Sequence, residues 1–343
     1  MDSHLNYLNN KRFNLLDGLR AISIFAVIWH HTAPQWGKVL SHVGAHGVTL
    51  FFAISGFLIT TLLLRERDRN GHIDLKAFYL RRTLRIFPLY FSVLALYILA
   101  VTFFENDALV KQTFFDNLIY FATYTSNLFV HLDGRVVFYF AWSLAAEEQF
   151  YLVWPTIMYK TGTTLKAFIP LIFVIIACIA DQLLGTQYLT AVPLAIIGGA
   201  LLAVALHTKY GFQFLTSFIG QTWSALTIII LLILALINEG VPNYIIHLLF
   251  VLLVGSCVIR ENHLIGQLLA LKPLVYIGSI SYGMYMFHML CKNVVVKTLG
   301  VIKWSALGME VFILTCLLSI VVASVSYRYF ESYFLMLKRR HER

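Results

Sequence analysis

An all-α bundle embedded in a membrane is the fold class this sequence predicts, and three observations predict it. Hydrophobic residues make up 59% of the 343-residue chain and charged residues only 13%, too little charge to wet the surface of a soluble protein. The apolar residues fall into runs of roughly 20, the length of a spanning helix. Basic residues collect in alternate connections between those runs. No repeat, low-complexity tract or linker marks a second unit, so one integral domain over 1–343 is expected. The same composition excludes a disordered chain, a disulfide scaffold and a nucleic-acid-binding domain, although the net charge is +9.

In chain order, the runs 13–33, 44–64, 88–104, 138–159, 167–184, 189–206, 218–237, 243–259, 275–297 and 307–327 predict about ten transmembrane helices. The first carries Asp17 and Arg20 and lacks an A-x-A exit, so it reads as a retained span and not as a cleavable signal. A further stretch, 114–130, is apolar but interrupted by Asp116, Asn117 and Asn127. Counting it as a span would place the termini on opposite sides.

The basic residues decide the count. With ten spans and a cytoplasmic N-terminus, 19 Lys and Arg fall on the cytoplasmic side and five (Lys38, Lys111, Arg135, Lys297, Lys303) on the other, while Arg20 and Lys292 lie within spans. That asymmetry follows the positive-inside rule and puts both termini in the cytoplasm. Residues 114–130 are then a re-entrant or interfacial piece. The connection 65–87 is expected as a cytoplasmic loop and amphipathic helix. Leu75, Phe78, Tyr79 and Phe87 are interleaved there with Arg81, Arg82 and Arg85, a membrane-surface pattern, and Pro88 suits the first turn of the next span.

Ionisable groups inside spans are costly and mark functional sites. Arg20 and His31 are eleven residues apart, a rotation of about 1100°, which returns both to one face about 16 Å apart along the axis. Asp17 precedes Arg20 by three residues and can pair with it. In Trp142-Ser-Leu-Ala-Ala-Glu147-Glu148, the two carboxyls point about 100° apart. Glu147 shares a face with Ser143 and Tyr151 and is expected to point inward; Glu148 is expected near a helix end in water. Arg82 and Arg85 form an i,i+3 pair able either to grip an anion with two guanidinium forks or to anchor to lipid headgroups. His42 and His46 have a metal-like spacing without a third ligand nearby, so no metal is expected. Tyr282, Tyr285 and His288 form a polar stripe suited to interior hydrogen bonding, and Cys178, Cys257, Cys291 and Cys316 read as packing.

These stretches, in their order, resemble the acyltransferase 3 family of integral membrane acyltransferases. The matching pieces are LDGLRAISIFAVIWHH from Leu16, GVTLFFAISGFLI from Gly47, FYLRRTLRIFPLY from Phe78, WSLAAEEQFYLVWP from Trp142, SYGMYMFH from Ser281 and YRYFE from Tyr327. An arginine, ten residues and a histidine in the first helix is a hallmark of the family, here Arg20 and His31; its RxxR element maps onto Arg82 and Arg85. The doubled His30-His31 and the Met286-Phe287 pair depart from the usual pattern, and helical register favours His31.

The resemblance implies ten membrane helices in the bacterial plasma (inner) membrane. It also implies transfer of an acyl group, most often acetyl, from cytoplasmic acyl-CoA to a hydroxyl of a cell-surface carbohydrate or lipid-linked glycan. An appended extracytoplasmic domain, carried by some relatives, is not expected. His31 would serve as general base or transient acyl carrier. Glu147 or Asp17 would orient its imidazole or hold Arg20, and Arg82 and Arg85 would hold the CoA phosphates. The rival reading is a secondary transporter of a polar solute using Asp17, Arg20, His31 and Glu147. A membrane scaffold explains the apolar content but not the buried charges.

Overall fold

The computed structural model describes residues 3–10, 12–33, 38–131, 134–186, 189, 191–238, 240–301 and 308–340, and among them no strand forms. The helices are α1 (Ser3–Asn9), α2 (Asn14–Thr32), α3 (Lys38–Asn70), α4 (Leu75–Phe104), α5 (Ala108–Asp116), α6 (Leu118–Ala122), α7 (Ser126–Phe129), α8 (Trp142–Thr161), α9 (Thr164–Leu184), α10 (Leu194–His207), α11 (Lys209–Ile219), α12 (Ser224–Ile237), α13 (Asn243–Ile259), α14 (Gly266–Leu269), α15 (Lys272–Val301), α16 (Met309–Ser326) and α17 (Ser332–Arg340). A π turn, Tyr327–Glu331, joins the last two.

Each of the ten runs named from the sequence overlaps one of these helices. Five helical stretches are long and apolar enough to cross a membrane by themselves: Val43–Asn70, Leu75–Phe104, Thr164–Leu184, Lys272–Val301 and Met309–Leu337. The pair α10 and α11, bent by 112°, makes a sixth candidate. Helices α12 and α13 are apolar but shorter. Helices α2 and α8 stand outside this set; Asp17 and Arg20 in one, and Glu147 and Glu148 in the other, lower their hydropathy.

Two segments differ in form from the sequence expectation. Residues 75–87 do not make a separate surface helix: α4 runs without a break through Pro88 to Phe104. A proline costs one backbone bond, and packing compensates for it, since Leu89, Tyr90 and Val93 are buried just beyond. Residues 114–130 break into α5, α6 and α7, the longest with 9 residues, far short of a span. Gln149 on α8 holds this stretch: its Nε2 donates to Tyr124 O at 2.8 Å and to Asn127 Oδ1 at 2.8 Å. The asparagine that interrupts the apolar run is therefore a docking point.

The centre of the bundle is α2, α3, α10 and α15. Small residues allow these helices to approach closely, as membrane interfaces favour. A Cβ on Gly56 of α3 would run into the Ile196 carbonyl of α10, and one on Gly278 of α15 would run into the Asp17 carbonyl of α2. These contacts set α2 between α3 and α15, and the polar face of α2 looks into the interior. All four cysteines are free and buried.

Candidate active site

The first turns of α2 carry a charge network. Asp17, buried, accepts from Arg12 Nη2 at 2.8 Å and from Arg20 Nη1 at 3.4 Å. The pairing read from the i,i+3 spacing is present, with Arg12 added from the preceding turn. Asp17 thus fixes one edge of the Arg20 guanidinium.

Arg20 projects into a cavity of about 100 Å³ that it shares with Arg82 and Arg85 of α4, Glu147 and Tyr151 of α8 and Ser55 of α3. Ser143, Glu147 and Tyr151, spaced by four residues, all line it, so this face of α8 points inward as its register predicts. Three guanidinium groups face one carboxylate, which leaves the cavity net cationic. Arg82 is held by ring faces, 5.1 Å from the Tyr151 centroid and 5.8 Å from that of Phe78. Arg81 turns away and pairs with Glu66 at 2.8 Å. Glu148 is not in water as expected: it is half-buried, and its Oε1 is enclosed without a hydrogen-bond partner among the described residues.

A second cavity, about 440 Å³, adjoins the first at the N-terminal end of α2. Both are lined by Arg20, Ser55, Arg82, Arg85 and Tyr151, and the larger one adds Arg12 and Arg65. The five arginines make an anion-receiving entrance.

His31 lies elsewhere. It lines a third cavity of about 590 Å³ together with His30, Tyr97, Arg135, Tyr285 and Lys292. Because α2 is unbroken from Asn14 to Thr32, the eleven-residue spacing separates His31 from Arg20 by about 16 Å. The imidazole is oriented by its own helix, with Nδ1 2.9 Å from Val27 O. A carbonyl oxygen only accepts, so Nδ1 carries the proton and Nε2 keeps a lone pair. Of the two roles expected for Glu147 or Asp17, Asp17 takes the second and holds Arg20, while the ring of His31 is oriented by its own helix carbonyl.

The polar stripe of α15, Tyr282, Tyr285 and His288, contributes more than its spacing alone revealed. The His288 ring meets His31 at 4.9 Å between centroids, nearly edge to face. His288 is fully buried; Nδ1 donates to Tyr285 O at 2.6 Å, and Nε2 has no hydrogen-bond partner among the described residues. Tyr285 and Val48 line both the small cationic cavity and the His31 cavity. Three neighbouring spaces that share lining residues therefore lie between the arginine entrance and the imidazole.

Among the site residues read from the sequence, Arg20, Arg82, Arg85 and Glu147 come together, Asp17 backs them, and His31 stands one chamber away. Ser55 and Lys292 are not among them: a serine in an apolar stretch gives no local signal, and Lys292 registers in the sequence only as a cation within a span. The side chain of His42 lies outside the described residues, and among those described no group of three potential metal ligands forms.

The family description "Acyltransferase domain", for acyltransferase 3, matches residues 13–328. The chain is 28% identical over 350 residues to the peptidoglycan O-acetyltransferase OatA of Listeria monocytogenes, covering 92% of this chain and 55% of that protein. It is 28% identical over 351 residues to a putative O-acetyltransferase of Staphylococcus aureus, covering 93% and 56%. Over 352 residues it is 28% identical to the putative peptidoglycan O-acetyltransferase YrhL of Bacillus subtilis, covering 92% and 54%. The chain thus spans about half the length of these curated relatives. No solved structure matches it. With a match that runs from the start of α2 to the π turn and takes in Arg20, Arg82, Arg85, Glu147 and the histidine chamber, the chain belongs to the acyltransferase 3 family of membrane acyltransferases.

Proposed function

We propose that this protein is a membrane O-acyltransferase that moves an acetyl group from cytoplasmic acetyl-CoA to a hydroxyl of a cell-envelope glycan, with peptidoglycan a leading acceptor class on the strength of its relatives. The observation that carries the reading is the separation of anion grip from base. An arginine cluster and an imidazole lie about 16 Å apart on one helix face, and the cavities between them are neighbours that share lining residues. Such a distance suits a donor whose phosphates and thioester are linked by a long flexible arm. Arg82 and Arg85, with Arg20 beside them, hold the phosphates, and the arm reaches through the small cavity toward His31.

In this reading the lone pair of His31 Nε2 takes the proton of the acceptor hydroxyl as that oxygen attacks the thioester carbonyl. The tetrahedral intermediate collapses, the C–S bond breaks, and the departing thiolate takes the proton from the imidazolium. The products are the sugar ester and free CoA thiol. The same Nε2 suits a covalent route in which the acyl group rests on His31 before transfer. Ten membrane passages with both termini cytoplasmic, in the bacterial inner membrane, put the arginine entrance on the CoA side and the His31 chamber on the opposite side. A solute carrier is the less economical reading, since it leaves the CoA-like spacing unexplained.

The test uses purified protein in vesicles, radiolabelled acetyl-CoA and a panel of envelope glycans. Alkali-labile label on a glycan, lost in His31→Ala at equal protein abundance, is the expected result. Full ester formation by His31→Ala would remove the mechanism; solute flux without any ester would favour transport.

A further inference from the structure

The chamber around His31 carries positive charge that the transfer chemistry does not use. Lys292 lies one helical turn beyond His288 on α15, a rise of about 6 Å, and lines both the 590 Å³ cavity and an adjoining one of about 480 Å³. Lys292 is half-buried and makes no ion pair or hydrogen bond with the described residues. Arg135 lines the same two cavities, and Lys297 the second. Among the described lining residues the one carboxylate is Glu105, which Arg135 engages at 3.2 Å. One acid against three fixed cations leaves the chamber ready for an anion, and Lys292 shares the 590 Å³ cavity with His30 and His31.

We infer that the acceptor is an anionic saccharide, bound with a carboxylate or phosphate on Lys292, roughly one sugar residue from the hydroxyl that meets His31. This inference rests on the transfer reading above and adds the charge class of its acceptor. A half-buried ammonium with no partner is costly, and an acidic substituent satisfies it through a charge-assisted hydrogen bond. A neutral sugar leaves it facing hydroxyls alone. The spacing also selects the site of acylation: with the anion anchored at Lys292, the hydroxyl that reaches His31 Nε2 lies within about a helical turn of it.

Two readouts separate this claim from the transfer reading. Equilibrium binding is measured on the full chain in detergent with a fluorescent tetrasaccharide bearing uronates, and with its carboxyl-reduced counterpart of equal length. A phosphorylated version of the reduced sugar tells carboxylate from phosphate. The acidic probes are expected to bind about tenfold tighter than the neutral one, an advantage that shrinks as salt rises. Lys292→Gln should erase the preference, Lys292→Arg should retain most of it, and Lys209→Gln, at a remote exposed position, should not change it.

Equal binding of acidic and neutral probes, including none by either, overturns the inference, as does a preference that survives in Lys292→Gln. Ester formation on the same probes is then followed with acetyl-CoA. Selective binding without ester sinks the transfer reading while leaving the acid-selective chamber standing.

Discussion

Ser143 of α8 and Tyr285 of α15, 142 positions apart in the chain, share a hydrogen bond of 2.6 Å. Tyr285 Oη donates to Phe140 O at 2.7 Å, so it accepts from Ser143. Both residues line the small cationic cavity, and Tyr285 also lines the His31 chamber. The bond therefore fixes the partition between the space assigned to the donor's arm and the space assigned to the acceptor.

Tyr285→Phe tests that partition. The ring contacts with Phe140 at 5.8 Å and Phe51 at 6.4 Å are kept, while the hydroxyl is lost. Leaving two buried polar groups short of a partner is expected to cost about 1–3 kcal/mol of stability. Turnover should fall about tenfold with the KM for acetyl-CoA unchanged, because the arginines are untouched. Steady-state kinetics and a melting curve on the same sample check both parts; a raised donor KM with normal turnover would place Tyr285 in the donor grip instead.

The arginine cluster predicts the opposite kinetic signature. Arg85→Ala should raise the KM for acetyl-CoA about tenfold or more while leaving turnover at saturation nearly normal, since a lost phosphate contact weakens ground-state binding. Arg82→Lys should behave similarly despite retaining charge. A lysine cannot reproduce both the planar stacking on Tyr151, now 5.1 Å from the guanidinium, and the forked donor geometry. Initial rates across donor concentration decide it: a variant with normal donor KM and depressed turnover would move these arginines into the chemical step.

Part of this site was legible in the chain and part was not, for a physical reason. Helical geometry relates residues within one helix, so the Asp17–Arg20 pair, the shared face of Ser143, Glu147 and Tyr151, and the 16 Å between Arg20 and His31 all follow from spacing. Contacts between helices do not. His31 and His288 are separated by 257 positions, and nothing in either sequence neighbourhood says their rings touch. Lys292 read as one more cation in a span until two cavities shared it. The fold shows the same division: helices overlap every apolar run, but the passage of α4 through Pro88 depended on packing around Tyr90 and Val93. The break-up of 114–130 depended on Gln149, which reaches over from α8.

The histidine contact makes a third prediction. The nitrogen of His288 that faces no partner is Nε2, while Nδ1 is occupied by Tyr285 O. Its contact with His31 is thus between rings, worth about 0.5–1.5 kcal/mol. His288→Ala leaves a void beside the imidazole, and the resulting tilt should lower turnover on the order of 10–100-fold, since catalysis is sensitive to displacements of about 1 Å. His288→Phe restores a ring without nitrogens and should recover part of the loss. Equal damage in both variants would give the nitrogen itself a role.

The crossing of α3 and α10 predicts a stability effect that reaches the site. Gly56 and Gly199 each lie against a carbonyl of the opposite helix, Ile196 O and Ala53 O, with no room for a methyl group. Gly56→Ala must push the helices apart, at a cost of about 1–3 kcal/mol. Gly300, near the end of α15, has nothing within 4 Å of a built Cβ, so Gly300→Ala should be neutral or up to about 1 kcal/mol stabilising through helix propensity. Melting followed by size-exclusion fluorescence distinguishes the two. Because Ser55 precedes Gly56 and lines the cavity with Arg20 and Glu147, the displaced helix should also raise the donor KM. A Gly56→Ala protein that melts normally would show that α3 and α10 are not held as closely as this packing requires, and the placement of Ser55 beside the arginines would fall with it.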